Sequence, residues 1–153
     1  MTTPLKRHEN LKPLSRDHHH GLLLCWKITV GLKNGVEQER IKGYLDYFFS
    51  SQLVPHFQFE EAEVFPLLGE DHPMVERALK EHRRLKELFH TSLDTPALRA
   101  IEIELNRHIR FEERELFTEI QRVVPEEKIR QIDNKEKKIL TPDPDDWADK
   151  FWT

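Results

Sequence analysis

The sequence predicts an all-α protein, an antiparallel up-down-up-down four-helix bundle with a short extra helix near the C-terminus. Of its 153 residues, 34% are charged and 37% hydrophobic, and only 5 are glycine. This composition is typical of helices with apolar stripes and solvated faces. Along four segments, apolar residues recur every three or four positions. The breaks between these segments are short, which favours antiparallel neighbours.

The first two segments contain the clearest helical periodicity. Helix one is predicted from 15 to 33, where Asn34-Gly35 supplies a stop. Helix two is predicted from 37 to 68, with a kink at Pro55. Residues 1 to 14 contain two prolines and several polar residues, and we expect them to form a loose lead-in.

The third and fourth helices have recognisable N-terminal signals. Helix three is predicted from 73 to 92, with Asp71 as its cap and a proline in its first turn. Helix four is predicted to extend to Val123, with Thr95 as its cap and Pro96 in its first turn. Two more helices of similar length therefore complete the bundle.

The C-terminal part carries a different pattern. Pro125 ends helix four, and 125 to 138 read as a short, highly charged helix. The segment 141 to 153 has no periodicity and is expected to be extended. Its aromatic residues could anchor it on the bundle or on a second copy in a homodimer: Trp147, Phe151 and Trp152. We predict a single domain over 1–153, with the bundle at about 14–124 and the charged helix and tail at 125–153.

Charge and composition exclude several classes of function. The net charge of −4 and the pI near 6.1 leave no basic field for nucleic acid or for anionic membranes. The single cysteine, Cys25, has no partner for an internal disulfide, and neither a signal core nor a run of 18 apolar residues occurs. We therefore expect a soluble cytoplasmic protein.

Two copies of one pattern are the most informative feature of the chain. His56-x-x-x-Glu60 lies within HFQFEEAEVFP, and His108-x-x-x-Glu112 lies within HIRFEERELF. A spacing of four turns a helix by about 400°, so each His and Glu share one face. Each helix then offers an imidazole nitrogen and a carboxylate oxygen to the same metal site in the bundle core.

Two further histidines lie on the apolar stripes of the other two helices, His18 and His82. His19 is an alternative to His18 on the first helix. Burial of two glutamates without compensation would cost several kcal/mol each. A metal cation supplies that compensation, and a metal-free network of histidines and carboxylates could also do so. The neighbouring Glu61 and Glu113 are expected on the solvated face, although either could lean in as an extra oxygen ligand.

At these residues the chain resembles the hemerythrin-like family of cation-binding bundles. That family is marked by His, His-x-x-x-Glu, His and His-x-x-x-Glu on successive helices, and the resemblance covers about residues 14 to 124. It implies that six residues bind the metal and that the two glutamates bridge two irons: His18, His56, Glu60, His82, His108 and Glu112.

The chain departs from the oxygen-carrying members of this family. They have a second histidine on the third helix, where this chain has Ala78, and their fourth-helix carboxylate is an aspartate where this chain has Glu113. The pattern therefore looks more like the sensor-type bacterial branch. A ferritin-like reading would need Glu-x-x-His on two helices, and this chain has one such spacing, Glu87 to His90.

The sequence thus predicts a non-haem di-iron protein that binds or senses O2, NO or redox state. Its nitrogen and oxygen ligands suit iron, and manganese or zinc could also occupy the site. An open coordination position is expected at the Ala78 gap. The alternatives are a small di-iron enzyme that reduces peroxide or oxygen, and a structural or interaction bundle without metal.

Overall fold

The computed structural model describes residues 6–91, 94–132 and 143–153, and within these it is helical without strands. Four long rods account for most of the described chain. We label them α1 (Lys12–Lys33), α2 (38–67), α3 (Pro73–His90) and α4 (95–123). A short fifth helix, α5, covers Glu126–Arg130.

Two of the rods change their hydrogen-bonding pattern along their length. In α2, the α-helical segments Gln38–Phe48 and Val54–Phe59 are joined by a π-helical turn, Phe49–Leu53, and followed by a second one, Glu60–Val64, and a 3₁₀ turn, Phe65–Leu67. The first π-helical turn lies just before Pro55, where the sequence predicts a kink. In α4, the π-helical turn Glu112–Leu116 separates Thr95–Phe111 from Phe117–Val123.

The ends of the helices confirm some predicted signals and correct others. Gly35 has a φ of +67°, which confirms the predicted stop after α1. The cap of α3 is His72, whose Nδ1 accepts from the Met74 N–H, so the assignment to Asp71 was wrong. The cap of α4 is Asp94 instead of Thr95, since its carboxylate accepts from the Ala97 N–H at 2.9 Å. In both cases the cap residue itself has the extended backbone that a cap requires.

Residues 6 to 11 are docked on the bundle, contrary to the loose lead-in that the sequence predicts; positions 1 to 5 of that lead-in lie outside the described residues. The Arg7 guanidinium donates to Gln121 Oε1 at 3.0 Å and to the Glu113 carbonyl. Leu11 is fully buried, and α1 begins at Lys12, three residues before the predicted start. Apolar burial and hydrogen bonds to α4 therefore hold this segment.

The tail packs on the bundle through its aromatic residues, which confirms one of the two predicted anchoring modes. Phe151 is 5% exposed and lies against Gly31 and Ile41. Trp147 stacks on Tyr47 with ring centroids 4.9 Å apart. Of the charged helix predicted over 125–138, the structure forms 126–130; positions 133 to 138, like Ser92 at the predicted end of helix three, lie outside the described residues.

The bundle core consists of two apolar clusters. One contains Leu24, Leu45, Phe57 and Leu105 among others, and the other contains Leu14, Val64, Ala78 and Phe117 among others. The rod α4 packs against both α1 and α3. No helix in the described part of the chain is long and apolar enough to cross a membrane. The up-down-up-down order remains a prediction from the short connections.

Candidate metal centre

Six polar side chains form a buried layer between the two apolar clusters. On every rod the residues of the layer lie between a stretch that belongs to one cluster and a stretch that belongs to the other. On α1, for example, His18 lies between Leu14 of one cluster and Leu24 of the other. None of the six is more than 4% exposed: His18, His56, Glu60, His82, His108 and Glu112. The structure thus brings together all six residues that the sequence singles out, one from α1, two from α2, one from α3 and two from α4.

The six residues form two overlapping groups of four. His18 and His56 share one group with both glutamates, and His82 and His108 share the other with the same two glutamates. Within each group the candidate ligand atoms all lie within 4.8 Å of one another. Glu60 and Glu112 therefore occupy the middle of the layer, where each carboxylate can reach two positions.

The atoms that face the centre of the layer are short of hydrogen bonds. His56 Nε2 and His82 Nε2 each lie 3.2 Å from Glu60 Oε1 without hydrogen-bond geometry. Among the described residues, the buried side-chain atoms without a hydrogen-bond partner include both Glu60 oxygens, one Glu112 oxygen and the Nε2 of His56, His82 and His108. Buried polar atoms are rarely left unpaired, so these converging lone pairs fit a cation.

One inward contact is a hydrogen bond. His18 Nε2 and Glu112 Oε1 are 2.8 Å apart, whereas His18 Nε2 and Glu60 Oε2 are 3.9 Å apart. Each His-x-x-x-Glu pair also remains close, with His108 Nε2 3.5 Å from Glu112 Oε1. All four histidines thus direct Nε2 towards the glutamates.

The pKa shifts in the layer show that its buried carboxylates favour positive charge on the neighbouring histidines. Burial alone would lower the pKa of His18, His56 and His82, but the neighbouring carboxylates outweigh burial and raise it. Burial alone would raise the pKa of Glu60, but the charge of the nearby His56 outweighs burial and holds it well below its usual range. Burial and the nearby Glu60 charge raise the pKa of Glu112. Protons thus compensate the buried carboxylates here, and a metal cation would replace them.

A second set of carboxylates lies on the outer side of the histidines. Asp17 Oδ2 is 3.0 Å from His56 Nδ1, Glu61 Oε2 is 2.8 Å from His82 Nδ1, and Glu81 Oε1 is 2.8 Å from His108 Nδ1. Glu113 Oε1 lies 3.7 Å from His18 Nδ1. Sequence reasoning missed Asp17 and Glu81, although each directly precedes a predicted ligand. Glu61 and Glu113, expected on the solvated face with an inward position as the alternative, are half-buried and each lies beside a histidine.

Two of the three π-helical turns in the described chain begin at the central glutamates. His56 and Glu60 keep α-helical spacing, and the wider turn starts at Glu60; the same holds for His108 and Glu112. Both turns occur in the repeated sequence Phe-Glu-Glu-x-Glu, at 59–63 and 111–115. This repeat was the available signal for the turns. π-helical turns inside α-helices are frequently associated with functional sites.

The remaining histidines lie away from the layer. His19 and His90 are exposed, and His8, His20 and His72 are half-buried. The structure therefore directs His18 instead of its neighbour His19 into the bundle.

A small cavity of about 10 Å³ adjoins the layer on the side of His18, His56 and His108, and its wall includes Gln52 and Gly21. This space is roughly that of one water-sized sphere. Ala78, the predicted gap, is not part of this wall; it is fully buried in the apolar cluster with Val75 and Phe117. Space for a small molecule thus adjoins the layer on the side of Gln52.

Comparison with known protein families gives a match. Neither a curated protein nor a solved structure matches the chain. The family model of the hemerythrin HHE cation-binding domain matches residues 14–120, which include all six residues of the layer. Together with the buried histidines and glutamates, this match over most of the chain shows that the protein belongs to the hemerythrin HHE cation-binding domain family.

Proposed function

We propose that the layer holds two non-haem iron ions and that the protein binds or senses O2, NO or redox state through them. The observation that carries this proposal is the overlap of the two groups of four at Glu60 and Glu112. One metal would bind His18 and His56, and the other His82 and His108. Each glutamate would contribute to both sites, because both groups include both carboxylates.

The donor atoms suit iron in this proposal. Imidazole nitrogens combined with carboxylate oxygens bind iron and manganese, and also zinc. Cys25 adds no thiolate, because it belongs to an apolar cluster and burial raises its pKa to about 12. Bound iron would supply coordination positions for a diatomic molecule, which a purely structural bundle lacks.

The protein's own side chains would keep the site dry and leave little space beside it. Phe57 stacks on His82 with ring centroids 3.9 Å apart, and Phe117 stacks on His18 at 5.4 Å. These rings cover the imidazoles from both apolar clusters. The small cavity beside Gln52 would admit a diatomic molecule and exclude larger substrates. This restriction favours gas or redox sensing over turnover of an organic substrate.

Metal content tests the proposal directly. Protein purified and loaded with ferrous iron without oxygen should carry two irons per chain after dialysis against a weak chelator. Glu60→Gln, which removes a shared charge and keeps the side-chain shape, should lose most of this iron. The matched control is Glu63→Gln, an exposed residue of the same π-helical turn, which should keep two. A wild-type chain without stoichiometric metal would support the structural bundle instead.

Gas exposure of the loaded protein separates the functions. Addition of NO or O2 to the reduced form should change the visible spectrum until one gas molecule has been added per metal site, and then stop. Sustained consumption of peroxide or oxygen would support the enzyme alternative. We do not expect efficient reversible oxygen carriage, since the third helix has Ala78 where carriers have a second histidine. Repeated oxygenation and degassing should therefore accumulate the oxidised form, and Ala78→His should slow that accumulation.

A further inference from the structure

The four outer carboxylates follow a single direction around the bundle. Asp17 of α1 pairs with the α2 histidine, Glu61 of α2 pairs with the α3 histidine, and Glu81 of α3 pairs with the α4 histidine. Glu113 of α4 faces the α1 histidine at 3.7 Å and closes the circle. Each rod thus provides a ligand and also a carboxylate for the ligand of the next rod.

Each of these carboxylates lies at the boundary between the histidine and solvent. Their side chains are 23 to 34% exposed, whereas the histidines they face are almost fully buried. Three of them have basic partners of their own: Arg77 lies 2.9 Å from Glu81, Arg7 3.7 Å from Glu113, and Lys86 3.9 Å from Glu61. These partners restrict how far the carboxylates can move away from the imidazoles.

The outer contact determines which of the two imidazole nitrogens can bind metal. An ionised carboxylate accepts hydrogen bonds and cannot donate one, so the Nδ1 atom that contacts it carries the proton. The lone pair of a neutral ring is then on Nε2, which faces Glu60 and Glu112. His56, His82 and His108 all have this arrangement.

We infer that Asp17, Glu61, Glu81 and Glu113 form a ring of positioning residues, in which the carboxylate of each rod orients the metal-binding histidine of the next rod. The inference rests on the proposed metal site for its purpose. Its geometry stands without a metal. Removal of one carboxylate should disturb the histidine of the following rod and spare the histidine beside it in sequence. For Glu81, the affected ligand is therefore His108, and His82 is spared.

Zinc binding gives the first measurement, because Zn²⁺ accepts these ligands and is diamagnetic. We would load the full chain with Zn²⁺ in competition with a chromogenic chelator. Asp17→Asn, Glu61→Gln and Glu81→Gln should each weaken zinc binding by about 10- to 100-fold. Glu113→Gln should weaken it less, because its contact is the longest of the four. The control is Glu104→Gln on α4, a glutamate 29% exposed and 3.0 Å from Arg84, which should bind zinc as the wild type does.

Nitrogen NMR of labelled histidines gives the second measurement and tests the direction of the ring. In both the metal-free and the zinc-loaded chain, Glu81→Gln should shift the Nδ1 resonance of His108 and leave that of His82 in place. Glu81→Ala should shift it further, because the amide of glutamine still offers an acceptor. A shift confined to His82, or zinc affinities equal to that of the Glu104 control, would overturn the inference.

The two readouts separate this inference from the proposed function. If wild-type protein bound no stoichiometric zinc or iron while the directional shifts persisted in the metal-free chain, the metal proposal would fail and the ring would stand. If wild-type protein bound metal and the variants behaved as the control does, the ring would fail and the metal proposal would stand. A melting curve of each metal-free variant checks that it remains folded.

Discussion

At the scale of single residues, two adjacent histidines have opposite environments. His18 is 4% exposed and shares a hydrogen bond with Glu112, whereas His19 is exposed on the same helix. The difference follows from helical geometry, because a step of one residue rotates a side chain by about 100°. The apolar residues Leu14 and Leu22, four positions either side of His18, favoured His18 as the residue that faces the core, while the sequence left His19 as an alternative.

These neighbours provide a matched pair of substitutions. His18→Ala should remove most of the bound metal, since it deletes an inward nitrogen and leaves Glu112 without its partner. His19→Ala should keep the wild-type metal content and stability within about 0.5 kcal/mol, as expected for a surface change. Elemental analysis after dialysis measures both. Metal loss from His19→Ala with retention in His18→Ala would reverse the assignment.

The titration of the same layer predicts a pH dependence. The pKa values of His18, His56 and His82 are raised above the unfolded value of about 6.5. Their protonation therefore stabilises the metal-free fold fully below about pH 6.5, and this contribution is lost as the pH rises through the higher folded pKa values. Metal binding requires unprotonated Nε2 atoms and strengthens over the same range.

The increase in melting temperature that metal produces should accordingly be larger at pH 8 than at pH 6. Paired melting curves of metal-free and zinc-loaded protein at the two pH values measure it, with the metal-free protein becoming less stable towards pH 8. His19→Ala serves as the control and should follow the wild type. An equal increase at both pH values would contradict the prediction.

The positions of the outer carboxylates beside the histidines could not be predicted from the sequence. Periodicity identifies which residues face inward, and it placed all six layer residues correctly on buried faces. It says nothing about contacts between different helices, and every outer carboxylate acts on a histidine of another rod. Asp17 and Glu81 read as ordinary polar positions beside a histidine. Their partners, His56 and His108, are 39 and 27 positions away in sequence.

At the scale of helices, two of the departures from regular α-helix begin at the central glutamates. The sequence predicts uninterrupted helices through Glu60 and Glu112, because apolar spacing continues on both sides. The structure inserts a wider turn directly after each one. A π-helical turn corresponds to one extra residue in an α-helix and carries a cost, which a functional position can offset. Local propensity could not reveal it.

Deletion of Ala62 tests the role of the turn in α2. This exposed alanine lies in the middle of Glu60–Val64, so its removal should restore a regular helix and keep the flanking segments in register. We expect a metal-free chain that melts at or above the wild-type temperature and binds less metal, because Glu60 is displaced. Deletion of the exposed Lys80 in the regular helix α3 is the control and should destabilise strongly, since it rotates every following residue. Wild-type metal content after deletion of Ala62 would contradict the proposed role.

At the scale of the whole molecule, a polar layer divides the apolar core in two. One cluster is closed by the docked tail, where Arg40 pairs with Asp149 and Lys27 with Asp145. The other is closed by the docked N-terminal segment and α5, which contribute Leu11 and Ile129. The sequence predicted the four helices and the layer. It could not predict the docking of the N-terminal segment, because that depends on hydrogen bonds to residues more than 100 positions away.

Because the polar layer connects all four rods, metal binding in it is expected to stabilise the whole fold. The layer draws on all four rods, so its ligands come together only in the folded chain, and binding free energy adds to folding free energy. Free metal at about 100 times its dissociation constant stabilises by about 2.7 kcal/mol, which corresponds to roughly 5 to 10 °C in melting temperature for a domain of this size. Removal of metal should lower the melting temperature by at least this amount.

The decisive comparison uses a variant that cannot bind metal but keeps the fold. The melting temperatures of wild-type protein with and without metal should differ by at least roughly 5 to 10 °C. Glu60→Gln should melt at the same temperature with and without metal. Because the charge of His56 outweighs burial and holds the pKa of Glu60 well below its usual range, the Glu60 charge stabilises the metal-free fold, and metal-free Glu60→Gln should melt below metal-free wild type. Equal melting temperatures for metal-free and loaded wild-type protein would place the bound metal outside the layer. The buried glutamates would then be compensated by protons on the surrounding histidines alone.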